Sequence, residues 1–190
     1  MKRKFPIALA FIVIGLLVAC NFFGQSVTIA DNERGVFADD QGNLQVLQPG
    51  THTLSPFAGE AVIFPLADQV YTMTGQPGAV GSVVGDDAVE VRSKDGRQMW
   101  IDSAVSFRFD ESKLTDVRRM WRDPEVFVNN FIRPTTRNIV YNTAYQFNYE
   151  DVVSAKRSEV EAVISQKLAE EFAKQGVELV KFSLLDVRGQ

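Results

Sequence analysis

Residues 89–109, VEVRSKDGRQMWIDSAVSFRF, carry the clearest structural pattern in this chain. Apolar and polar residues alternate on either side of Asp95-Gly96, which is typical of the two-residue turn between antiparallel strands. Successive side chains of a strand point to opposite faces, so the pattern predicts a half-buried antiparallel hairpin. On its return strand, one face carries Met99, Ile101, Val105, Phe107 and Phe109, and the other carries Trp100, Asp102, Ser106 and Arg108.

The residues before this hairpin are predicted to form short strands and loops. From Ser26 to Met73, alternating apolar residues are interrupted by Gly and Pro, as in strands separated by turns. Gly75 to Gly85 has neither the Lys-Ser/Thr of a phosphate-binding loop nor a dinucleotide fingerprint, so we interpret it as a connection. Asp39-Asp40 and Asp86-Asp87 are interpreted as solvated turn residues, because calcium needs roughly six or more oxygen ligands in a spacing not seen there.

The residues after the hairpin follow a helical period. Lys113–Trp121 is predicted to form a short helix. Asp123-Pro124-Glu125 predicts the start of a second one, with Asp as the N-cap and Pro at the first helical position. Pro134 should kink or interrupt this second helix, because its ring removes a hydrogen-bond donor and crowds the preceding turn.

A third helix and a final strand complete the predicted fold. The helix runs from Asn148 to about Lys174, with Glu170 and Lys174 spaced as an ion pair, and Gly176 ends it. The order of strands, helices and one returning strand predicts an α+β fold, in which helices pack on one face of a curved, largely antiparallel sheet. The returning strand is predicted to carry Val180, Phe182 and Leu184 on one side.

The N-terminus contains the longest apolar run of the chain. Lys2, Arg3 and Lys4 precede an uncharged segment from Phe5 to Ala19, and Cys20 follows as the only cysteine. A basic cluster before a short apolar stretch is typical of an export signal, and the basic residues stay on the cytoplasmic side. We therefore expect residues 1–24 to be a signal, lipoprotein leader or transmembrane anchor. Residues 25–190 are expected to form one domain on the extracytoplasmic side, either periplasmic or at the cell surface.

Two interpretations of the N-terminal segment remain open. Leu17-Val18-Ala19-Cys20 resembles a bacterial lipobox, in which the cysteine is lipidated on sulfur and becomes the new N-terminus after cleavage. Alternatively, Phe5 to Phe23 forms one uncleaved helix of about 28 Å, just long enough to span a hydrocarbon core. Both interpretations attach the domain to a membrane, and the first makes Cys20 the candidate lipidation site.

Charge and cysteine content limit the possible partners and the possible sources of stability. The formal net charge of the 190 residues is -4, and it becomes more negative without the three basic residues at the N-terminus. Nucleic acid is therefore not an expected partner, since phosphates require clustered Lys and Arg. A single cysteine allows no intrachain disulfide, so stability must come from packing.

No catalytic, cofactor-binding or metal-binding residue is predicted. His52 is the only histidine, and no nucleophile motif accompanies it, so we interpret it as a turn-stabilising residue rather than part of a Ser-His-Asp triad. The candidate contact residues are basic side chains on the middle helices. They are predicted to touch lipid headgroups or an acidic neighbouring subunit, or else to form a solvated face balanced by nearby acids: Arg118, Arg119, Arg122, Arg133 and Arg137.

Several motifs occur in order from about Val27 to Val187. They are Asn32-Glu33-Arg34-Gly35-Val36, Pro49-Gly50-Thr51-His52 with Pro56-Phe57, Ser93-Lys94-Asp95-Gly96 followed by residues 101–109, residues 151–157, and Gly176-Val177-Glu178-Leu179. In this order and at these separations they resemble the SPFH or Band 7 domain, the family of stomatins, prohibitins, flotillins and the bacterial HflK/HflC proteins.

The resemblance implies a non-enzymatic scaffold without cofactors, which attaches to one membrane face, self-associates and organises lipids or membrane proteins. Its implied partners are membrane lipids, copies of itself or related SPFH subunits, and a membrane protease. Family members usually continue into a long coiled coil, and no heptad run follows the last predicted strand here. The missing heptad run favours a second hypothesis, a regulator of one membrane protein that acts without ring assembly. A third hypothesis is a lipoprotein hydrolase that uses His52.

Overall fold

The computed structural model describes residues 24–76, 78–82 and 85–189 of the chain. The strands predicted between Ser26 and Met73 are confirmed, with bounds β1 (Gln25–Ile29), β2 (Glu33–Ala38), β3 (Leu44–Leu47), β4 (Gly50–Leu54), β5 (Val62–Pro65) and β6 (Gln69–Met73). β1 pairs with β4, and β2 lies between β3 and β5, all antiparallel. These two small sheets have a core of their own, formed by Ile29, Leu47 and Leu54.

The main sheet is organised by one long strand. β7 (Val89–Arg92) and β8 (Gln98–Phe109) form the predicted hairpin, and β9 (Val177–Gly189) pairs along the whole of β8 on its other edge. β6 pairs with the second half of β8, so β6 and β7 lie end to end along the same edge. The antiparallel arrangement is confirmed. The described strands nevertheless form three sheets rather than one curved sheet, because the short strands broken by Gly and Pro pair locally.

The turn of the hairpin has three residues rather than two. Ser93 N donates to Arg97 O at 2.8 Å, which leaves Lys94, Asp95 and Gly96 as the connection. Gly96 has φ +86° and Asp95 does not have a positive φ, whereas the two-residue turn with Asp-Gly needs positive φ at both positions. The residue types of a turn were therefore recognised correctly, and its length was wrong.

The helices follow the predicted order with two local changes of winding. Their bounds are α1 (Leu114–Trp121), α2 (Pro124–Phe127), α3 (Arg133–Ala144) and α4 (Arg157–Lys174). Asp123 caps α2 as predicted, with its carboxylate accepting from Val126 N at 2.8 Å. A π-helical turn separates α2 from α3, and a second π-helical turn precedes α4. The helix is thus interrupted by the π-helical turn just before Pro134, as predicted, although the backbone stays in the right-handed helical region on both sides of it.

The helices cover one face of the main sheet, as the fold class requires. Phe107 of β8 packs edge-on against Phe172 of α4, with ring centroids 6.3 Å apart, and meets Phe127 of α2 at the same distance. The apolar face of α4 is completely buried, as its four-residue repeat predicts: Val160, Ile164, Leu168 and Phe172. None of the helices in the described part of the chain is long and apolar enough to cross a membrane. The predicted anchor and Cys20 lie outside the described residues.

Two predicted details near the C-terminal end of the described chain are wrong. Val180 is 42% exposed instead of sharing the buried face of Phe182 and Leu184. The reason is a bulge, since Ser106 and Phe107 of β8 face positions 181 and 179, so that Val180 is an extra residue. Lys174 pairs with Glu171 at 2.7 Å, rather than with Glu170.

Candidate functional site

Two of the five predicted arginines converge on one buried carboxylate. Arg133 and Arg137 are four residues apart on α3 and therefore share a face of that helix. Arg133 binds Asp87 with two nitrogens, Nη2 to Oδ1 at 2.6 Å and Nε to Oδ2 at 3.0 Å. Arg137 Nη1 lies 3.1 Å from Asp87 Oδ1 and donates to the Asp87 carbonyl as well. α3 is thus held to the start of β7 by one acid and two bases.

Asp87 itself is only 1% exposed, so its interpretation as a solvated turn residue is wrong, while its neighbour Asp86 is exposed. Tyr71 on β6 donates its hydroxyl to Asp87 Oδ2 at 2.6 Å. Burial alone would raise the pKa of Asp87, but the hydrogen bonds from Arg133 and Tyr71 and the charges of Arg133 and Arg137 lower it overall. Burial and the hydrogen bond to Asp87 raise the pKa of Tyr71. The sequence contains no local sign of this cluster, because its members are far apart along the chain.

A second buried carboxylate lies on the other face of the same sheet. Asp102 falls on the face opposite Ile101 as predicted, yet it is 1% exposed. It accepts from Thr74 Oγ1 at 2.9 Å, from Gly75 N at 3.2 Å and from Arg188 Nη2 at 2.7 Å. Arg188 on β9 is 86 residues away in sequence, so the pairing could not be read from local spacing.

These two carboxylates bracket the base of the glycine-rich connection between β6 and β7. Asp87 N donates to Thr74 O at 3.0 Å and closes the base. The connection then returns along β6, where Thr72 N donates to Gly81 O at 3.0 Å. Gly81 has φ +79°, and a Cβ there would lie 2.7 Å from Val70 O, so only glycine fits. The connection is therefore tied at its base and along β6.

The other three predicted arginines lie at the C-terminal end of α1 and do not join the Asp87 cluster. Arg119 pairs with Asp116 at 2.9 Å on the surface, and Arg118 donates to the Arg122 carbonyl. Arg122 has φ +71° and ψ -56°, and it is bridged by a bond of 2.9 Å from Asp123 N to Trp121 O. This is a strained γ-turn of the rare type with positive φ, and it holds an exposed cation at the end of α1. We call Arg118, Arg119 and Arg122 the α1 basic cluster.

His52 contacts the backbone of a turn, as predicted for a turn-stabilising residue. Its Nε2 lies 2.7 Å from the Gln48 carbonyl, across the Pro49-Gly50 turn that begins β4. Across the ranges 24–76, 78–82 and 85–189, no group of three or more His, Cys, Asp or Glu residues is arranged to hold a metal ion.

Among the described residues, three aromatic side chains are exposed: Phe57, Tyr141 and Tyr145. Tyr141 and Tyr145 stack on the outer side of α3 with ring centroids 6.5 Å apart. Phe57 is 80% exposed, at a turn that follows β4. A cavity of about 400 Å³ adjoins this turn and is lined by Phe37, Asp40 and Leu54, among others. None of these aromatic residues was singled out from the sequence as a contact residue.

Comparison with known proteins identifies the family. The model of the SPFH domain / Band 7 family matches residues 27–189, which is most of the chain. A search of curated proteins found no match. The family match covers the main sheet, all four helices described above and both small sheets except the first two residues of β1. The resemblance in the motifs is thereby confirmed, and the chain belongs to the SPFH domain / Band 7 family.

Proposed function

We propose that this protein is a membrane-anchored, non-enzymatic SPFH/Band 7 scaffold that self-associates and organises membrane proteins or lipids. The observation that carries the proposal is the family match over residues 27–189. Members of the family are generally scaffold-like and non-enzymatic, and they typically self-associate and bind membrane components. The basic cluster and apolar run at residues 2–19 support attachment to a membrane, with the domain on the extracytoplasmic side.

The α1 basic cluster is the surface that we propose for contact with a neighbouring subunit. Arg119 has 67% of its side chain exposed and Arg122 is exposed, whereas Arg133 and Arg137 are engaged by Asp87. The chain as a whole is acidic, so a second copy or a related subunit presents many carboxylates that could meet these cations. The strain at Arg122 also supports this assignment, since strained backbone concentrates at functional positions.

Crosslinking in intact membranes tests self-association. We expect the wild-type chain to give a ladder of multimers after treatment with a short amine-reactive reagent. Arg119→Glu combined with Arg122→Glu should reduce this ladder, because both changes place a negative charge against an acidic neighbour. Arg92→Glu is the matched control, since it reverses an exposed charge on β7, removes no reactive amine and should leave the ladder intact. Recovery of only monomer from the wild-type chain would refute the scaffold.

Extraction with a gentle detergent then identifies what the scaffold organises. Copies of the chain together with several membrane proteins or lipids support the proposal. One stoichiometric membrane protein, such as a protease, without multimers would instead favour a regulator that acts on a single partner. Mass spectrometry of the mature N-terminus distinguishes the two anchors, because acylated Cys20 indicates a lipid tether and intact Met1 indicates a spanning helix.

A further inference from the structure

The described chain begins against the end of β4. Gly24 precedes β1, and an added Cβ there would lie only 2.0 Å from the Leu54 carbonyl oxygen. β1 then runs antiparallel to β4, with Gln25 opposite Leu54. Residue 24 is therefore packed directly on the sheet, so the chain enters the domain at a defined place.

The turn after β4 presents an aromatic side chain at this same place. Ala58 N donates to Ser55 O at 3.0 Å and closes a turn whose two central residues are Pro56 and Phe57. Both are exposed, and Phe57 exposes 80% of its surface. Phe57 is three residues from Leu54, so their Cα atoms are at most about 11 Å apart. A large apolar side chain thus projects beside the point where the N-terminal segment joins the domain.

The covalent distance to the bilayer is short under both interpretations of the N-terminal segment. An acylated Cys20 lies four residues before Gly24, which corresponds to at most about 14 Å of extended chain. A spanning segment from Phe5 to Phe23 ends directly before Gly24. If the protein is anchored as proposed above, the end of the domain that carries Phe57 must therefore face the membrane surface.

The charges around this turn determine what kind of membrane contact is possible. Asp40 in the β2–β3 turn accepts from Ser55 Oγ at 2.9 Å, and Glu60 follows the turn as another exposed acid. Between Gly24 and Leu66 the only Lys or Arg is Arg34, which is paired with Glu111 at 2.7 Å. An attraction to anionic headgroups is thus not available at this end. The remaining driving force is the burial of the apolar ring of Phe57, as for the Phe, Trp and Leu side chains that interfacial segments bury at the boundary between headgroups and acyl chains.

We propose that the Ser55–Ala58 turn is a membrane-contact element, in which Phe57 inserts into the interface of the bilayer that holds the N-terminal anchor. This proposal rests on the anchoring part of the proposed function. The turn and the anchor then hold the domain at two neighbouring points, which restricts its tilt on the membrane. A self-associating scaffold benefits from such a restriction, because subunits with one common orientation present the same surface to each other.

Photocrosslinking of the full chain tests the proposal. Phe57 is replaced by p-benzoylphenylalanine, and the chain is reconstituted into phosphatidylcholine vesicles whose acyl chains carry an alkyne tag. Tyr145 is the matched control for the same replacement, because it is an aromatic residue 55% exposed at the end of α3. We expect lipid adducts from position 57 and none from position 145. Adding phosphatidylglycerol should not increase the yield at position 57.

The other outcomes separate this proposal from the proposed function. A carbonate wash that removes the chain from the vesicles would overturn both. A retained chain without lipid adducts at position 57, or with equal adducts at both positions, would overturn the membrane-contact element alone. Adducts from position 57 to a second copy would also overturn it, and they would identify the turn as a subunit interface. The high exposure of Phe57 means that its replacement should not disturb folding.

Discussion

Removal of the Asp87 charge should destabilise the domain more than removal of the charge of an exposed acid in a loop, such as Asp86. Asp87→Asn keeps the size of the side chain but offers amide hydrogens where Tyr71 and two guanidinium groups need an acceptor. Breaking a buried ion pair by removing one partner costs about 3–5 kcal/mol. The side chains of Arg133 and Arg137 are 34% and 39% exposed, so they can regain hydration. We therefore expect the lower end, a loss of about 3 kcal/mol in the free energy of unfolding.

The assay is urea unfolding of the full chain in detergent micelles, followed by tryptophan fluorescence. Asp86→Asn is a close control, because it makes the same chemical change at the adjacent exposed position and should alter the free energy of unfolding by less than about 0.5 kcal/mol. A double variant that adds Arg133→Met should cost less than the sum of the two single changes, since both remove the same contact. Equal stability of the two Asn variants would refute the reasoning.

The contribution of Asp87 to the free energy of unfolding should decrease in acid. The pKa of Asp87 is lowered in the folded chain, so its stabilisation is complete above the pKa of the unfolded chain, about 3.9. This stabilisation is lost as the pH falls through the lower folded pKa. The difference in stability between the wild-type chain and Asp87→Asn should therefore shrink below about pH 4. A difference that stays constant in acid would mean that the charge of Asp87 is not what stabilises the contact.

Three further perturbations test other parts of the structure. The pKa of Tyr71 is raised in the folded chain, so its contribution to stability is complete below the unfolded pKa of about 10 and is lost at higher pH. In urea titrations at alkaline pH, the free energy of unfolding should therefore fall less for Tyr71→Phe than for the wild-type chain. Gly81→Ala should reduce the free energy of unfolding by about 1–2 kcal/mol, because residue 81 has a positive φ and the added Cβ would contact Val70 O. Gly85→Ala is the control and should be neutral in the same titration, because residue 85 has open space around it and no positive φ. Arg122→Gly should increase the midpoint of thermal unfolding, with a gain of about 1 kcal/mol from relief of the γ-turn strain, and an unchanged or lower midpoint would show that this turn stores no strain.

The hydrophobic pattern predicted the elements of the main sheet and helices because that information is local. The alternation in β8 identified its buried face, and the Asp123-Pro124 pair identified the start of α2. Two of the errors arose where one inserted residue changes the outcome. The bulge at Val180 reverses the side to which that residue points, and the hairpin turn gains one residue because only Gly96 has a positive φ.

The candidate site could be predicted only in part. Basic residues on the middle helices were visible in the sequence, but their division into two groups was not. Arg133 and Arg137 reach Asp87 because α3 crosses the start of β7, a contact between residues about fifty positions apart. The exposure of Phe57 beside Gly24 depends in the same way on the pairing of β1 with β4.

By itself, the sequence determined the family, the order of strands and helices and the faces that they bury, since periodicity and short motifs depend on neighbouring residues. Only the tertiary structure decided which acids are buried, which arginines lie outside the Asp87 cluster and which turn lies beside the start of the domain. Those properties depend on residues brought together from distant parts of the chain, and a buried charge such as Asp87 or Asp102 is tolerated only once its partners are in place.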